Sequence, residues 1–287
     1  MDSAIKRRIG IDLNRRMKLA PGLDMAARHG IRFLDICLDP DPDLLDARHP
    51  RVAELRDRLA ASGVTLGLHT LSSMNVAEDC PFLAEAADAY LAAYIKAARA
   101  LGAGWVIVHG GYHFTADKRE RMEVAVARLE RAAKVAESEG MTLLLENMNP
   151  EPADAEVKYL VHDVDEADFY FSRLTSPAIK WAFTSNHAHM LPYGVSGFLD
   201  RMRALGVDVD RIGEVRLADN RGKVEEHLYP GTGNMDFAGL FETLERRGYR
   251  GHYMQDYTTV DDMISGREIV AHLAENALAG ASMDNRR

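Results

Sequence analysis

Apolar and polar positions along the chain change period repeatedly. Short runs with strand character alternate with longer stretches whose apolar residues recur at helical spacing. The first run is Ile9–Leu13, followed by a helical pattern from about Pro21 to His29. Phe33–Leu38 is the second run, and His49 to Ala61 reads as an amphipathic helix stopped by Gly63. The third strand, Thr65–Thr70, precedes a long Ala-rich helix from Pro81 to Leu101, with Pro in its first turn and Gly102 after its end. Trp105–Gly110 is the fourth strand, and Lys118 to Glu139 a charged helix closed by Gly140.

The fifth strand, Thr142 to Leu145, runs straight into an acid, Glu146, then Asn147, Asn149 and Pro150. After an irregular segment from Asn149 to His162, the spacing predicts a helix over Asp163 to Leu174. The sixth strand is Ile179–Thr184 with a helix from Ser196 to Leu205. Ile212–Ala218 is the seventh, followed by a helix from Asp236 to Arg247. His252–Tyr257 is the eighth, with a last helix from Asp261 to Leu278. Eight strand–helix units without a linker-like break predict one domain, a (β/α)8 barrel of the α/β class, over residues 1–282. The tail 283–287 is expected to be disordered. No Gly-rich GxGxxG follows the first strand, which removes the main cue for a dinucleotide fold. A loop as long as Asn149 to His162 points to a lid over the site.

In such a barrel the active site lies at the C-terminal strand ends. Polar residues collect there: His69 after strand three, His109 after four, Glu146 after five, and the run Thr184-Ser185-Asn186-His187-Ala188-His189 after six. Strand seven carries Arg216 and ends at Asp219-Asn220. Its loop holds Glu225-Glu226-His227 and the turn Pro230-Gly231-Thr232-Gly233, and strand eight ends in Gln255-Asp256. One such histidine is commonly a satisfied half-buried residue; six strands in a row ending this way indicate a functional site. His113, His162 and His252 are expected to be solvated, and Trp105 and Trp181 to be packing. Tyr112, Phe114, Met148 and Tyr193 are candidates for an apolar cavity wall. The glycine turn offers backbone N–H groups that could cradle a phosphate.

Composition narrows the classes. The 287 residues are 47% hydrophobic and 28% charged, an ordinary globular balance. Two cysteines, Cys37 and Cys80, without a CxxC exclude a disulfide framework or Cys-based zinc site and fit a reducing cytoplasm. No apolar h-region follows the basic N-terminus, and no run approaches the ~20 apolar residues that span a bilayer. The net charge of −9 argues against nucleic acid as a partner.

These strand-end motifs together resemble the xylose isomerase-like barrel superfamily, which includes sugar isomerases and epimerases, inosose dehydratase-like lyases and the endonuclease IV group. The resemblance rests on His69, His109-Gly110-Gly111, LLLENMN around Glu146, SNHAH around His187, VRLADN…EEHLYPGTGNMDF, and GYRGHYMQD around Asp256. It implies a divalent metal held by Glu, Asp, His and Glu on strands five to eight. The matching positions here are Glu146, Thr184, Arg216 and Asp256, so two ligands are replaced and one is shortened. Arg216 has no lone pair for a metal and could itself balance Glu146 and Asp256. The endonuclease IV pattern of His69, His109 and Glu146 is intact, with His187, Glu225 and His227 at its neighbouring site. The cofactor expectation is therefore none or one divalent metal (Mn, Mg or Zn), with Glu146, His69, His109 and Asp256 as candidate ligands.

The resemblance implies a sugar or sugar-derivative isomerase or epimerase acting by proton transfer next to a carbonyl. Glu146 and Asp256 are the candidate acid/base pair, with His187 on substrate hydroxyls and Arg216 or a metal as electrophile. His69, His109, Asn147, Asp219, Glu225 and His227 are the candidate substrate-binding residues. The substrate is expected to be a small sugar-like molecule, and an acidic or phosphorylated one would suit Arg216. The alternatives are a lyase using the same pair, an endonuclease IV-like phosphodiesterase, and a non-catalytic sugar-binding barrel. Self-association is common in this fold, which leaves a homo-oligomer open.

Overall fold

The computed structural model describes residues 3–114 and 117–284. Eight parallel strands close into a barrel in the order β1 (Ile9–Asp12), β2 (Phe33–Ile36), β3 (Thr65–His69), β4 (Trp105–Val108), β6 (Thr142–Glu146), β8 (Ile179–Thr184), β9 (Ile212–Leu217) and β10 (His252–Gln255), the last pairing back onto β1. Two further short strands, β5 (Tyr112–Phe114) and β7 (Val157–Tyr159), form an antiparallel ribbon with Tyr112 opposite Tyr159. The segment expected to be an irregular lid is thus tied through β7 to the loop after β4.

Helices follow the strands: α1 (Leu19–His29), α2 (Pro50–Ser62), α3 (Pro81–Leu101), α4 (Lys118–Glu139), α5 (Val164–Phe171), α6 (Ser185–His189), α7 (Gly194–Ala204), α8 (Phe237–Arg246) and α9 (Val260–Asp284). Their starts have local causes. Pro50 sits at the start of α2 behind His49, whose Nδ1 accepts from the Arg51 N–H. Asp163 and Asp236 cap α5 and α8 by accepting from Glu166 and Gly239 N–H groups. Gly102 and Gly140 close α3 and α4 in the left-handed conformation that costs glycine little. The structure departs from expectation in α5, which stops at Phe171, and in α9, which continues to Asp284; residues 285–287 of the expected tail lie outside the described residues.

Alternation along each strand divides two environments. Ile9, Ile11, Leu34, Leu66, Leu68, Val106, Leu143, Leu145, Trp181, Phe183, Val215 and Leu217 belong to the large core shared with the helices. The alternate positions point inside, where Phe33, Trp105, Ile107, Leu144 and Ala182 form a small separate cluster. Trp181 is the largest fully buried side chain, and its truncation to Ala would cost about 3–5 kcal/mol. Gly67 on β3 must lack a side chain, because a Cβ there would lie 2.1 Å from both Asp35 Oδ1 and Trp105 Nε1. Both cysteines are free. Among the described residues no helix is long and apolar enough to cross a membrane.

Candidate active site

The C-terminal strand ends open into a cavity of about 660 Å³ whose floor holds His69, His109, Glu146, His187, His227 and Asp256. Glu146 ends β6. Its Oε2 lies 3.3 Å from His109 Nε2 and 3.4 Å from His69 Nε2, and the two imidazole nitrogens are 3.3 Å apart. The far sides of both rings are engaged. His69 Nδ1 is 2.8 Å from Asp12 Oδ2, and His109 Nδ1 is 3.3 Å from Thr70 Oγ1. Glu146 Oε1 accepts a 2.5 Å hydrogen bond from Thr184. A second triad stands beside the first. Glu225 Oε1 is 3.3 Å from His187 Nε2 and 2.6 Å from His227 Nε2, while each ring donates its Nδ1–H to a backbone carbonyl, Asn147 and Asp256 respectively.

Below this floor Arg216, 1% exposed, projects from β9 into the barrel centre. Its Nη2 lies 2.6 Å from Asp12 and 2.9 Å from Asp256; its Nη1 is 3.0 Å from Glu214 and 3.3 Å from Asp35. Its Nε, which makes no hydrogen bond, faces Glu146 Oε1 at 3.4 Å. Five strands of the barrel therefore send or end in a carboxylate beside one guanidinium. From the opposite side Arg16 reaches Asp256 Oδ1 at 3.1 Å. Deeper still, Trp105 Nε1 donates to Asp35 at 3.0 Å, and His252 Nε2 lies 3.0 Å from Glu214 while stacking on Phe33.

The same burial accompanies shifts in opposite directions. Burial would raise Glu146, Asp12, Asp35 and Glu214 alike. At Glu146 the guanidinium of Arg216, then the hydrogen bonds from His109 and His69, outweigh it and hold the group well below its usual range. Asp12 is likewise driven down against burial by Arg216 and His69. Asp35 goes the other way: burial, with Glu214 and Asp12 as like charges, pushes it well up. Glu214 rises to about 7, chiefly through burial. His69 overcomes its burial and the repulsion of Arg216, and is raised to about 10 by Asp12, whereas burial lowers His109.

A sequence profile of the xylose isomerase-like TIM barrel matches residues 23–279. The chain belongs to the xylose isomerase-like TIM barrel family. Within that fold it is similar to a D-tagatose 3-epimerase-like protein, at 21% identity and a TM-score of 0.82 over 96% of this chain and 99% of the other. It also resembles an L-ribulose 3-epimerase (19%, 0.77, covering 96% and 97%) and 3-keto-D-glucoside 4-epimerase from E. coli (16%, 0.71, covering 93% and 98%). An uncharacterized protein of Methanocaldococcus jannaschii is 23% identical over 270 residues, 90% of this chain and 85% of its own length.

Against the expectations for this xylose isomerase-like barrel, the structure brings Glu146, Asp256, His69, His109, His187, Glu225 and His227 to one cavity. Three expected site residues are turned elsewhere. Asn147 does not line the cavity: its side-chain oxygen accepts from Trp181 Nε1 and Thr184 N, and its amide donates to Thr184 O. Asp219 is also directed to backbone, accepting N–H bonds from Asn220, Gly231, Gly233 and Met235. The glycine turn expected to cradle a phosphate cradles this carboxylate instead. Arg216 is sealed beneath the floor, so it cannot be the electrophile that meets substrate or the cation that takes an acidic one. His252 and His113 are buried rather than solvated, the first inside the barrel. Of the proposed apolar wall Met148 lines the cavity, joined by Tyr159; Phe114 is 47% exposed on the ribbon.

Sequence reasoning missed Asp12, Asp35 and Glu214. Each is an acid inside an otherwise apolar strand, at the alternation that faces inward, and that period was the available signal. The four-residue metal pattern of the family does not fit here, because Thr184 donates to Glu146 and Arg216 fills the gap to Asp256. The His69–His109–Glu146 triad does fit a metal. Its three ligand atoms are spaced like the edges of a tetrahedron of about 2.0–2.1 Å bonds, and both rings are oriented by partners on their other nitrogens.

Proposed function

We propose that this barrel is a sugar or sugar-derivative isomerase or epimerase that moves a proton next to a carbonyl. The observation that carries the reading is the placement of Glu146 and Asp256. They open on one cavity from β6 and β10, three strands apart around the barrel, and so approach a bound substrate from different sides. Proton transfer between the two faces of a carbon needs two such groups. Glu146, held ionised, takes the proton beside the carbonyl, and Asp256 serves the opposite face. The ring nitrogens of His69, His109, His187 and His227 are within the same cavity and supply hydrogen bonds to hydroxyls and to the developing enolate oxygen. Arg15 and Arg16 line the cavity and, unlike Arg216, are placed to meet an acidic or phosphorylated end of a substrate. The epimerase names of the similar structures support the class. Elimination of a group on the neighbouring carbon would use the same pair and give a lyase.

The test is proton exchange. Ketopentoses, ketohexoses and their acid and phosphate derivatives are incubated with the protein in D2O and followed by NMR. Deuterium should enter at the carbon beside the carbonyl of at least one substrate, and Glu146→Gln should stop it. Folded protein that exchanges nothing across the panel would leave the reading without support.

The two histidine–carboxylate triads favour one second reading, a metal-assisted phosphodiesterase. A metal held by His69, His109 and Glu146 would supply a Lewis acid and an activated water. The net charge of −9 opposes a phosphate-backbone ligand. Salt-sensitive submicromolar binding to abasic DNA in a gel-shift experiment would promote this reading over the first.

A further inference from the structure

We propose that the guanidinium of Arg216 is the resident cation of the barrel centre, standing between Glu146 and Asp256 where the family pattern requires a divalent ion, so that this position takes up none. Four observations lead here. Arg216 Nη2 is 2.9 Å from Asp256 and its Nε is 3.4 Å from Glu146, so the group already spans the two carboxylates that an ion would bridge. The remaining nitrogen directions are taken by Asp12, Asp35 and Glu214. The position that should hold a carboxylate ligand is Thr184, whose hydroxyl donates to Glu146 instead of offering a charge. The guanidinium has no acceptor and stays protonated, so it cannot be converted into a ligand.

The formal charges agree with the geometry. Three carboxylates, a neutral His and a divalent ion sum to minus one. Glu146, Asp256 and one guanidinium also sum to minus one. A divalent ion added beside Arg216 would face a fixed positive charge within a few ångströms in a water-poor interior, where like charges repel strongly.

The substitution keeps the charge of a metal and drops its chemistry. A catalytic metal presents an open position to substrate. Arg216 is 1% exposed and does not line the cavity, so it pairs with Glu146 and Asp256 without touching what binds above them. The group that polarises a substrate oxygen must then come from the cavity floor, where the imidazoles of His69, His109, His187 and His227 face the space directly.

The proposal concerns the same site as the isomerase reading but is measured by metal content, so either can fail alone. The purified protein is equilibrated with Mn²⁺ or Zn²⁺, freed of unbound ion and analysed for bound metal. Asp256→Asn should leave the metal content of the native chain unchanged, including any ion on the His69–His109–Glu146 triad. The Thr184→Asp, Arg216→His double variant should gain one equivalent, and adding Asp256→Asn to it should remove that equivalent. An ion in the native chain that Asp256→Asn displaces would overturn the proposal, as would a folded double variant that gains none. Should the double variant fail to fold, the comparison of the native chain with Asp256→Asn decides by itself.

Discussion

Glu146 and Asp35 are both carboxylates, both buried, and both within 3.4 Å of the Arg216 guanidinium, yet their surroundings drive them in opposite directions. Glu146 belongs to the cavity floor and receives Thr184, His69 and His109 besides the guanidinium. Asp35 belongs to the sealed interior, where one indole N–H and one long contact to Arg216 must offset two acidic neighbours, Glu214 and Asp12. Burial is common to the two, so it does not set their charge. The number of donors and cations around each does. On the floor Glu146 is kept ionised for use, whereas Asp35 beneath it is driven toward its protonated form.

Removing the shared cation should break that comparison most severely. Arg216→Ala leaves five carboxylates around an unfilled volume, and the loss of one partner from a buried ionic cluster costs about 3–5 kcal/mol. Urea denaturation should show that loss or no folded protein at all. Arg16→Ala, at a side chain 31% exposed, should stay within about 1 kcal/mol of wild type although it too pairs with Asp256. Equal losses from the two would mean that Arg216 is not the centre of the network.

The next effect separates the carboxylates themselves. Glu146→Gln keeps the volume and removes the charge; it should lower proton exchange by about 10²–10⁴-fold, and because it also takes a charge from the buried cluster around Arg216 it should lower the urea midpoint of a protein that still folds. Asp35→Asn should change stability by less than about 1 kcal/mol, because burial and the acidic neighbours already favour the neutral form of Asp35 and the Trp105 N–H still finds an oxygen. A large loss of stability in Asp35→Asn would show that Asp35 is ionised in the folded protein.

The cavity floor was legible in the sequence and the interior was not. His69, His109, Glu146, His187, His227 and Asp256 stand at or just past the ends of apolar runs, where the barrel rule assigns function, so position alone pointed to them. Asp12, Asp35 and Glu214 lie within strands that otherwise read as apolar; Glu214 shares a face of β9 with Arg216, but only closure of the barrel brings Asp12 of β1 and Asp35 of β2 to the same arginine. Asn147 and Asp219 shared the strand-end signal without sharing the cavity. Short amide and carboxylate side chains reach nearby backbone easily, and here they fix the loops that carry His187 and Glu225–His227. The paired change at Thr184 and Arg216 was readable as chemistry, but Asp12 and Asp35 meet Arg216 only when the barrel closes.

The smallest expected effect is a pH dependence that differs in sign between the two regions. His227, on the floor with 30% of its side chain open, is raised from 6.5 to about 9: burial would lower it, and Asp256 and Glu225 prevail. Its folded form binds a proton more tightly than its unfolded form. The stability it contributes is therefore full below pH 6.5 and is lost as pH climbs toward 9. His252, inside the barrel, is lowered to about 4 by burial. Its contribution is full above pH 6.5 and is lost as pH falls toward 4. Glu214, raised to about 7, opposes His252 on the acid side, so each contribution is read as the difference between wild type and a variant. Urea midpoints of the metal-free protein from pH 4 to 9 supply the curves. The difference between wild type and His227→Asn should shrink from pH 6.5 to 9. With His252→Gln, whose amide cannot titrate, the loss of stability on moving from pH 6.5 to 4 should be smaller than in wild type. The His227 limb should be the shallower, because a group partly open to water is screened. Two limbs of the same sign would mean that floor and interior do not differ in how they hold charge, and the contrast between Glu146 and Asp35 would then need another cause.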